Sequence, residues 1–526
     1  MKKKYGLLVL LAAFTMGGYA QTVKGFVYAD NNKNGKKDKS EKGVAGVAVS
    51  NGVQVVSTND NGAYELPVGD DNIIFVIKPA GYTVALNASN QPQYYYIHKP
   101  NGSPENFKYK GVAPTGKLPK SVDFALHTAQ ESDKFTSLIF GDPQPYTQEE
   151  VDFFAKGIVS EVVGIKDVAF GLSLGDLVGD DLNLHNPYIS AVKNVGIPWY
   201  NLMGNHDMNY EATADSLADE TYEANFGPAN YSFNYGKVHF IILDDIIYPD
   251  PRDGKGYWGG FRKDQLEFIE NDLKLVPKEN LIVLAFHIPL QLGTDAYRKE
   301  DRDQLFSLLK DFPNTLSLSA HTHLQRQNFY TRKDGWMQDK PHHEYNAGTT
   351  SGDWYSGEIN EQGVPASTMR DGTPKGYAFI KFDGNKYVID YKVAGKPADY
   401  QINVYAPEVM SSKRYGAYKF YANFFMGKKG DKVEFSVDGS KWKAMDYLVN
   451  ADPSYLNLAM KWDFISNLMP GRRPSNPEQS THLWWAGFPA KLKAGDHTIE
   501  VRATDMFGRT FTQKKTFKVQ DPIELK

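Results

Sequence analysis

The chain has 526 residues, 41% of them apolar and 23% charged, proportions that fit folded globular domains and exclude a low-complexity or disordered chain. Its 59 basic and 63 acidic residues nearly balance, and no basic tail or Lys/Arg cluster marks a nucleic-acid polymer as partner. It has no cysteine, which excludes a disulfide framework, a thiolate metal site and a lipid-anchor cysteine after a leader.

In chain order, residues 1–20 come first. The lysine triplet Lys2–Lys4, the short apolar run from Leu7 to Met16 and the small residue Ala20 have the layout of a secretory signal peptide cleaved after Ala20. That run is too short for the roughly 20 apolar residues of a membrane span, and no later segment is long and apolar enough. The expectation is an exported protein, periplasmic or extracellular, with no transmembrane span after cleavage.

Residues 22–130 read as an N-terminal β-sandwich module, with short alternating or β-branched runs such as "VKGFVYAD" and "NIIFVIKP" broken by Asn, Asp and Gly. Within it, "DNNKNGKKDKSE" matches the calcium-loop spacing D-x-N-x-N-G-x5-E: Asp30, Asn32, Asn34, the Lys36 carbonyl, Asp38 and Glu41 would be the ligands of a structural Ca²⁺. The lysines at 33, 36, 37 and 39 oppose cation binding, and a strand rather than a helix precedes the loop. The polar run Thr128–Lys134 reads as a linker.

From residue 135 to about 392 apolar strands alternate with helical patterns, which predicts a layered α/β domain. Thr147 and Glu150 form a capping box before a helix whose Val151, Phe154, Ile158 and Val162 share one face. "KDQLEFIENDLKLV" predicts a second amphipathic helix and "NLIVLAFHIPL" a buried strand. Residues 400–526 return to β patterning and predict a C-terminal β domain; the Pro/Asn-rich, aromatic segment 450–480 yields no assignment.

Five strand ends in the middle region carry metal-type ligands. They give Asp142 and Gln144 in "GDPQ", Asp176 in "GDLVGDD", and Asn205, His206 and Asp207 in "GNHD"; His287 follows in "AFHIPL", and His321 and His323 in "SAHTH". Each alone is a commonplace turn, cap or structural histidine. Together they sit where open α/β sheets build their sites, at the C-terminal ends of strands. On an extended chain, His321 and His323 at i and i+2 point to the same side. Mixed oxygen and nitrogen donors suit Zn, Mn or Fe, and a pair of ions about 3.5–4 Å apart needs one bridging carboxylate.

In this order the motifs GD-x-Q, GD-x-x, GNHD, H and (G/A)H-x-H resemble the calcineurin-like metallophosphoesterase family over residues 135–390. The flanking β regions resemble a secreted bacterial subgroup with N- and C-terminal β domains, whose loops "NAGTTSGDWYSG" and "DGTPKGY" have counterparts here. The resemblance implies a layered β-sandwich flanked by helices and a dinuclear metal centre. Asp142, Gln144 and His323 would hold the first ion, Asn205, His287 and His321 the second, with Asp176 as the bridge. It implies hydrolysis of a small-molecule phosphomonoester or phosphodiester by hydroxide held between the metals, with His206 protonating the leaving oxygen or steadying the phosphate.

This sequence departs from the family pattern twice. Gln144 stands where many relatives have His; an amide oxygen is a harder donor and favours Mn²⁺ or Fe²⁺ over Zn²⁺ at the first site. The acid that some relatives carry three residues past the bridging Asp is Gly179 here, leaving Asp180 and Asp207 both open as partners of His206. For substrate contacts the candidates are His185, His343, Trp354 and Tyr355. The rival reading is a surface glycan-binding or adhesion protein on a non-catalytic scaffold; bound transition metal separates the two.

Overall fold

The structure, a computed structural model, describes residues 21–291, 296–413, 418–490 and 492–523, so the leader reading of residues 1–20 lies outside the described residues. Two mixed sheets form the middle of the molecule. One runs Trp199–Leu202, Phe170–Leu174, Lys134–Phe140, Gly376–Asp383, Lys386–Val393, its first three strands parallel. The other runs Tyr231–Tyr235, Val238–Ile242, Leu281–Ala285, Asn314–Ser319, His342–Asn346, Arg326–Tyr330, with its four inner strands parallel. Parallel strands need both faces covered, which is why the 170–174, 281–285 and 314–319 strands are buried almost throughout.

The two sheets meet through aromatic rings. Phe170 packs edge-on to Phe233 (5.4 Å) and Phe240 (5.3 Å), and Tyr200 stacks on Phe233 at 4.2 Å. Helices cover the outer faces. Phe154 of helix Gln148–Gly157 meets Phe140, and Phe306 of helix Lys299–Leu308 meets Tyr330. The first helix starts as its sequence predicts: Thr147 Oγ1 accepts from Glu150 N at 3.2 Å, although Glu150 reaches back to Tyr146 N rather than to the cap. It ends sooner, at Gly157. Ile158 leaves the helical region (φ −128°) and a 3-10 turn follows, yet Val151, Phe154, Ile158 and Val162 are all buried.

On either side stand all-β regions. The N-terminal one has two four-stranded sheets. The C-terminal one has a four-stranded and a five-stranded sheet around a core that includes Phe420, Phe424, Ile499 and Val501. The polar run 128–134 is less a free linker than a tie: Glu131 is buried against Lys78 at 2.5 Å. The unassigned segment contains helix Pro453–Asp463, opened by Asp452, which accepts from Ser454 N at 2.6 Å, with Pro453 in the first turn, where its missing N–H costs nothing.

The inter-sheet rings give a stability prediction. Phe170→Ala removes a 2%-exposed ring from this seam and should lower unfolding free energy by about 3–5 kcal/mol, read by denaturant titration. A loss under about 1 kcal/mol would mean the sheets do not depend on it.

Candidate metal centre

Five parallel strands, 134–140, 170–174 and 199–202 in one sheet and 281–285 and 314–319 in the other, point their C-terminal ends at one place. The residues just beyond them do not continue the strands. Asp142 (φ +35°), Gln144 (+38°), Asp176 (+47°), His321 (+64°) and His323 (+51°) all lie in the left-handed region. Non-glycine residues held there cost about 1–3 kcal/mol each and persist only where the surroundings hold them. Asp142 accepts from His321 N with both oxygens at 3.1 Å, Gln144 N donates to the Asp176 carbonyl at 2.9 Å, and His206 N donates to Asp176 Oδ1 at 3.0 Å. The expected i, i+2 projection of His321 and His323 along a strand is therefore corrected. The strand ends at Ser319, and the left-handed turns, not strand pleating, aim the two rings.

The side chains meet. His287 Nε2 lies 3.2 Å from Asp176 Oδ2, 4.0 Å from Asp142 Oδ1 and 3.2 Å from His321 Nδ1. His323 Nε2 lies 3.7 Å from Asp142 Oδ1. Asp176, His287 and His321 offer ligand atoms all within 4.8 Å of one another. Two imidazoles are oriented from behind: His287 Nδ1 donates to the Leu174 carbonyl at 2.8 Å and His323 Nδ1 to the Gly352 carbonyl at 3.0 Å, so each turns its Nε2 inward. Asp245 holds the backbone of His287 and Ile288 through hydrogen bonds of 3.0–3.1 Å.

Two further observations test whether cations fit here. Gln144 Oε1 and Asn205 Oδ1 are buried and have no hydrogen-bond partner among the described residues, a costly state for an amide oxygen unless something else binds it. The cluster also takes up protons in place of other positive charge. Burial pushes the Asp142 carboxyl up to about 8. For His287 burial acts downward, but the charges of Asp176 and Asp142 outweigh it and hold the ring up to about 10. Burial, with the neighbouring His287 charge, drives His321 down to about 3, and burial drives His323 to about 4, so both rings are neutral and ready to donate lone pairs. Three imidazoles, two carboxylates and two orphan amide oxygens fit borderline divalent transition metals.

His206 sits at the open side of the cluster, its Nδ1 2.6 Å from Asp180 Oδ1. Tyr210 Oη donates to the same carboxylate at 2.9 Å. Between the two partners left open, the geometry selects Asp180. Asp207 turns the other way, buried, accepting from Leu177 N (3.0 Å) and Gly204 N (2.9 Å) and facing His185 Nε2 at 3.1 Å. An acid at position 179 would not fit: a Cβ there would stand 2.7 Å from the Tyr146 ring, which packs against His206.

Of the substrate candidates, only Trp354 reaches the cluster, stacking on His323 at 4.2 Å. His185 is fully buried behind Asp207 rather than facing the site. His343 lies within the 342–346 strand, satisfied by Tyr387 Oη (2.8 Å) and Gln327 Oε1 (2.6 Å). Tyr355 is buried and its hydroxyl donates to the Pro143 carbonyl, so it backs the first ligand loop instead of forming a wall. In the 30–41 loop, Asp30 accepts from Asn34 N (3.2 Å) and Gly35 N (2.8 Å), and Glu41 from Asn31 N (2.9 Å) and Asp38 N (3.0 Å). Asp38 accepts from the side chains of Asn32 (2.8 Å) and Asn34 (3.0 Å), and Lys36 N donates to Asn34 Oδ1 (2.7 Å). Tyr146, Tyr210 and Asp245 escaped sequence reading; the two tyrosines stand within a few residues of "GDPQ" and "GNHD", the one available signal.

Three family profiles match the chain in succession: "N terminal of Calcineurin-like phosphoesterase" over residues 31–112, "Calcineurin-like phosphoesterase" over 135–325 and "C terminal of Calcineurin-like phosphoesterase" over 344–511. A probable glycerophosphodiester phosphodiesterase of Arcobacter nitrofigilis is 25% identical over 159 residues, 28% of this chain and 54% of that protein, so the chain spans about half the length of this curated relative. Among solved structures, a purple acid phosphatase from yellow lupin (Lupinus luteus) seeds is 12% identical, with a TM-score of 0.34 over 71% of this chain and 66% of that one. Vps29 of Chaetomium thermophilum is 10% identical, with a TM-score of 0.20 over 73% and 98%.

If the cluster binds cations, melting will report it. Chelator-treated protein given Mn²⁺ at about 100 times its dissociation constant should gain about 2.7 kcal/mol of stability, seen as a rise in Tm. Asp142→Asn or Asp176→Asn should each remove most of that rise. An unchanged wild-type Tm would contradict the cluster's reading as a metal centre.

Proposed function

The chain belongs to the calcineurin-like phosphoesterase family, and from that premise we propose that it is an exported, metal-dependent hydrolase of a phosphomonoester or phosphodiester of a small molecule. The observation that carries this reading is a pair of buried amide oxygens without a partner among the described residues: Gln144 Oε1, whose amide nitrogen reaches Asp176, and Asn205 Oδ1, one residue before His206, whose backbone N–H donates to Asp176. A scaffold kept only for adhesion has no use for them. Gln144, Asp142 and His323 would hold one divalent ion, Asn205, His287 and His321 the other, and Asp176, which touches residues of both groups, would bridge. Ions bound there supply charge neutralisation at the phosphoryl group and lower the pKa of bound water.

The chain's own part is protonation and orientation. Asp180 engages His206 Nδ1, leaving Nε2 to face a bound phosphoester. Burial alone would favour the neutral ring, but the Asp176 charge and the Asp180 hydrogen bond outweigh it and raise its pKa, which favours a proton on the ring for donation to the leaving oxygen. Asp207 keeps the loop in shape by accepting from the backbone N–H groups of Leu177 and Gly204. The glycerophosphodiester phosphodiesterase relative supports a diester of a small headgroup among the substrates to be tried. Export rests on the lysine triplet and the apolar run Leu7–Met16.

The test is phosphate or alcohol release from aryl phosphate mono- and diesters, with Mn²⁺, Zn²⁺ and Fe²⁺ supplied separately. His206→Ala should lower kcat by about 10²–10⁴-fold while metal content is kept. Asp180→Asn should lower kcat by a smaller factor with KM nearly constant, because it misorients the ring without touching substrate. Wild-type protein that hydrolyses none of these esters with any of the three metals would overturn the proposal.

A further inference from the structure

Beside the cluster opens a cleft of about 430 Å³, lined by Tyr146, Asp353 and Trp354 from the middle region and by Arg472, Arg473 and Ser475 from the C-terminal region. Its inner wall is continuous with the candidate metal centre. The Tyr146 ring lies 5.9 Å from the His206 ring, and Trp354 stacks on His323. Its outer wall is held by a short antiparallel ladder in which Gly357–Glu358 pairs with Gly471–Arg472, placing Arg472 opposite Gly357. That pairing requires glycine at 471: its φ is +111°, and a Cβ there would stand 2.1 Å from the Gly357 carbonyl oxygen.

The two arginines differ. Arg473 is committed to Asp463, with contacts of 2.6 and 2.9 Å. Arg472 is exposed and donates to the Trp354 carbonyl; among the described residues no carboxylate lies within ion-pair distance of it. Asp353 is 1% exposed; its Oδ2 accepts from Ser475 N (2.7 Å) and Ser356 Oγ (2.6 Å), while its Oδ1 has no partner among the described residues. The cleft therefore offers a guanidinium with no ion-pair partner among the described residues, its charge felt by the Glu150 carboxylate, together with a buried carboxylate and two aromatic rings that meet His206 and His323.

We propose that this cleft receives the alcohol portion of the substrate and that Arg472 binds a second anionic group on it, a phosphate or a carboxylate, remote from the phosphoryl group that is cleaved. The preferred substrate class is then a hydroxylated phosphoester with a second negative charge. The guanidinium fork matches either anion with paired hydrogen bonds, and Asp353 Oδ1 accepts a substrate hydroxyl. The proposal rests on the phosphoesterase reading above, and it makes the C-terminal region part of the substrate site rather than an appendage.

The experiment compares wild type, Arg472→Gln and Arg472→Lys on three substrates: an aryl phosphate with no second charge, a hexose bisphosphate, and 3-phosphoglycerate. The readout is the ratio of kcat/KM for each doubly anionic substrate to that for the aryl phosphate. In Arg472→Gln this ratio should fall by at least about tenfold, the scale of a charged hydrogen bond, and Arg472→Lys should restore part of it. A fall for the bisphosphate alone assigns the subsite to phosphate, and a fall for 3-phosphoglycerate alone assigns it to carboxylate. An unchanged ratio for both overturns the proposal. Calorimetry on chelator-treated protein separates this outcome from failure of the metal reading. There the hexose bisphosphate or 3-phosphoglycerate should bind wild type at least about tenfold more tightly than Arg472→Gln, and equal binding of both compounds to the two proteins overturns the cleft assignment.

Discussion

Asp176 and Asp142 are buried side by side among three imidazoles, and the rest of the site follows from how that charge is balanced. Burying carboxylates without compensation is costly, and here the available compensation without ions is protonation: Asp142 pushed up to about 8 and His287 to about 10. Divalent ions would replace those protons, satisfy the two stranded amide oxygens and use the lone pairs that His287, His321 and His323 turn inward. Backbone strain points the same way. Five candidate ligand residues hold left-handed conformations, and the same buried hydrogen bonds that hold them also set the donor directions.

The surrounding architecture serves that arrangement at increasing distance. Parallel strands in two facing sheets deliver all five loops to one edge, and the aromatic seam between the sheets fixes how far apart those edges stand. Behind the candidate ligands, the carbonyls of Leu174 and Gly352 set ring orientation, and the carboxylate of Asp245 holds the His287 backbone. In front, Asp180 and Tyr210 brace His206, and the C-terminal region closes one wall of the cleft through a two-residue ladder.

Strand ends were legible because a parallel strand reads as an apolar run and its ligand loop as an abrupt change to Gly, Asp, Asn and His. Directions of individual side chains were not. His321 and His323 reach the cluster by left-handed turns that no periodicity reveals, so they converge there by a local geometry other than the expected one. Asp207 adjoins His206 in sequence but points into the fold, while Asp180, on another loop, reaches across to it. His343 and His185 carry the chemistry of a site residue, and only their burial, with both ring nitrogens of His343 paired and His185 Nε2 turned to Asp207, shows that they do not face the cluster. The helix at 453–463 had a readable start in Asp452–Pro453, masked by the Pro- and Asn-rich composition that follows. Arg472 carried no local signal at all, since its placement depends on pairing with a distant segment.

Elemental analysis tests the central claim most directly. Protein purified without chelator and dialysed should carry about two transition-metal ions per chain, as a bridged pair requires, and Asp176→Asn should lose them. Wild-type protein that retains no transition metal, even after incubation with Mn²⁺, Fe²⁺ and Zn²⁺, would contradict the account.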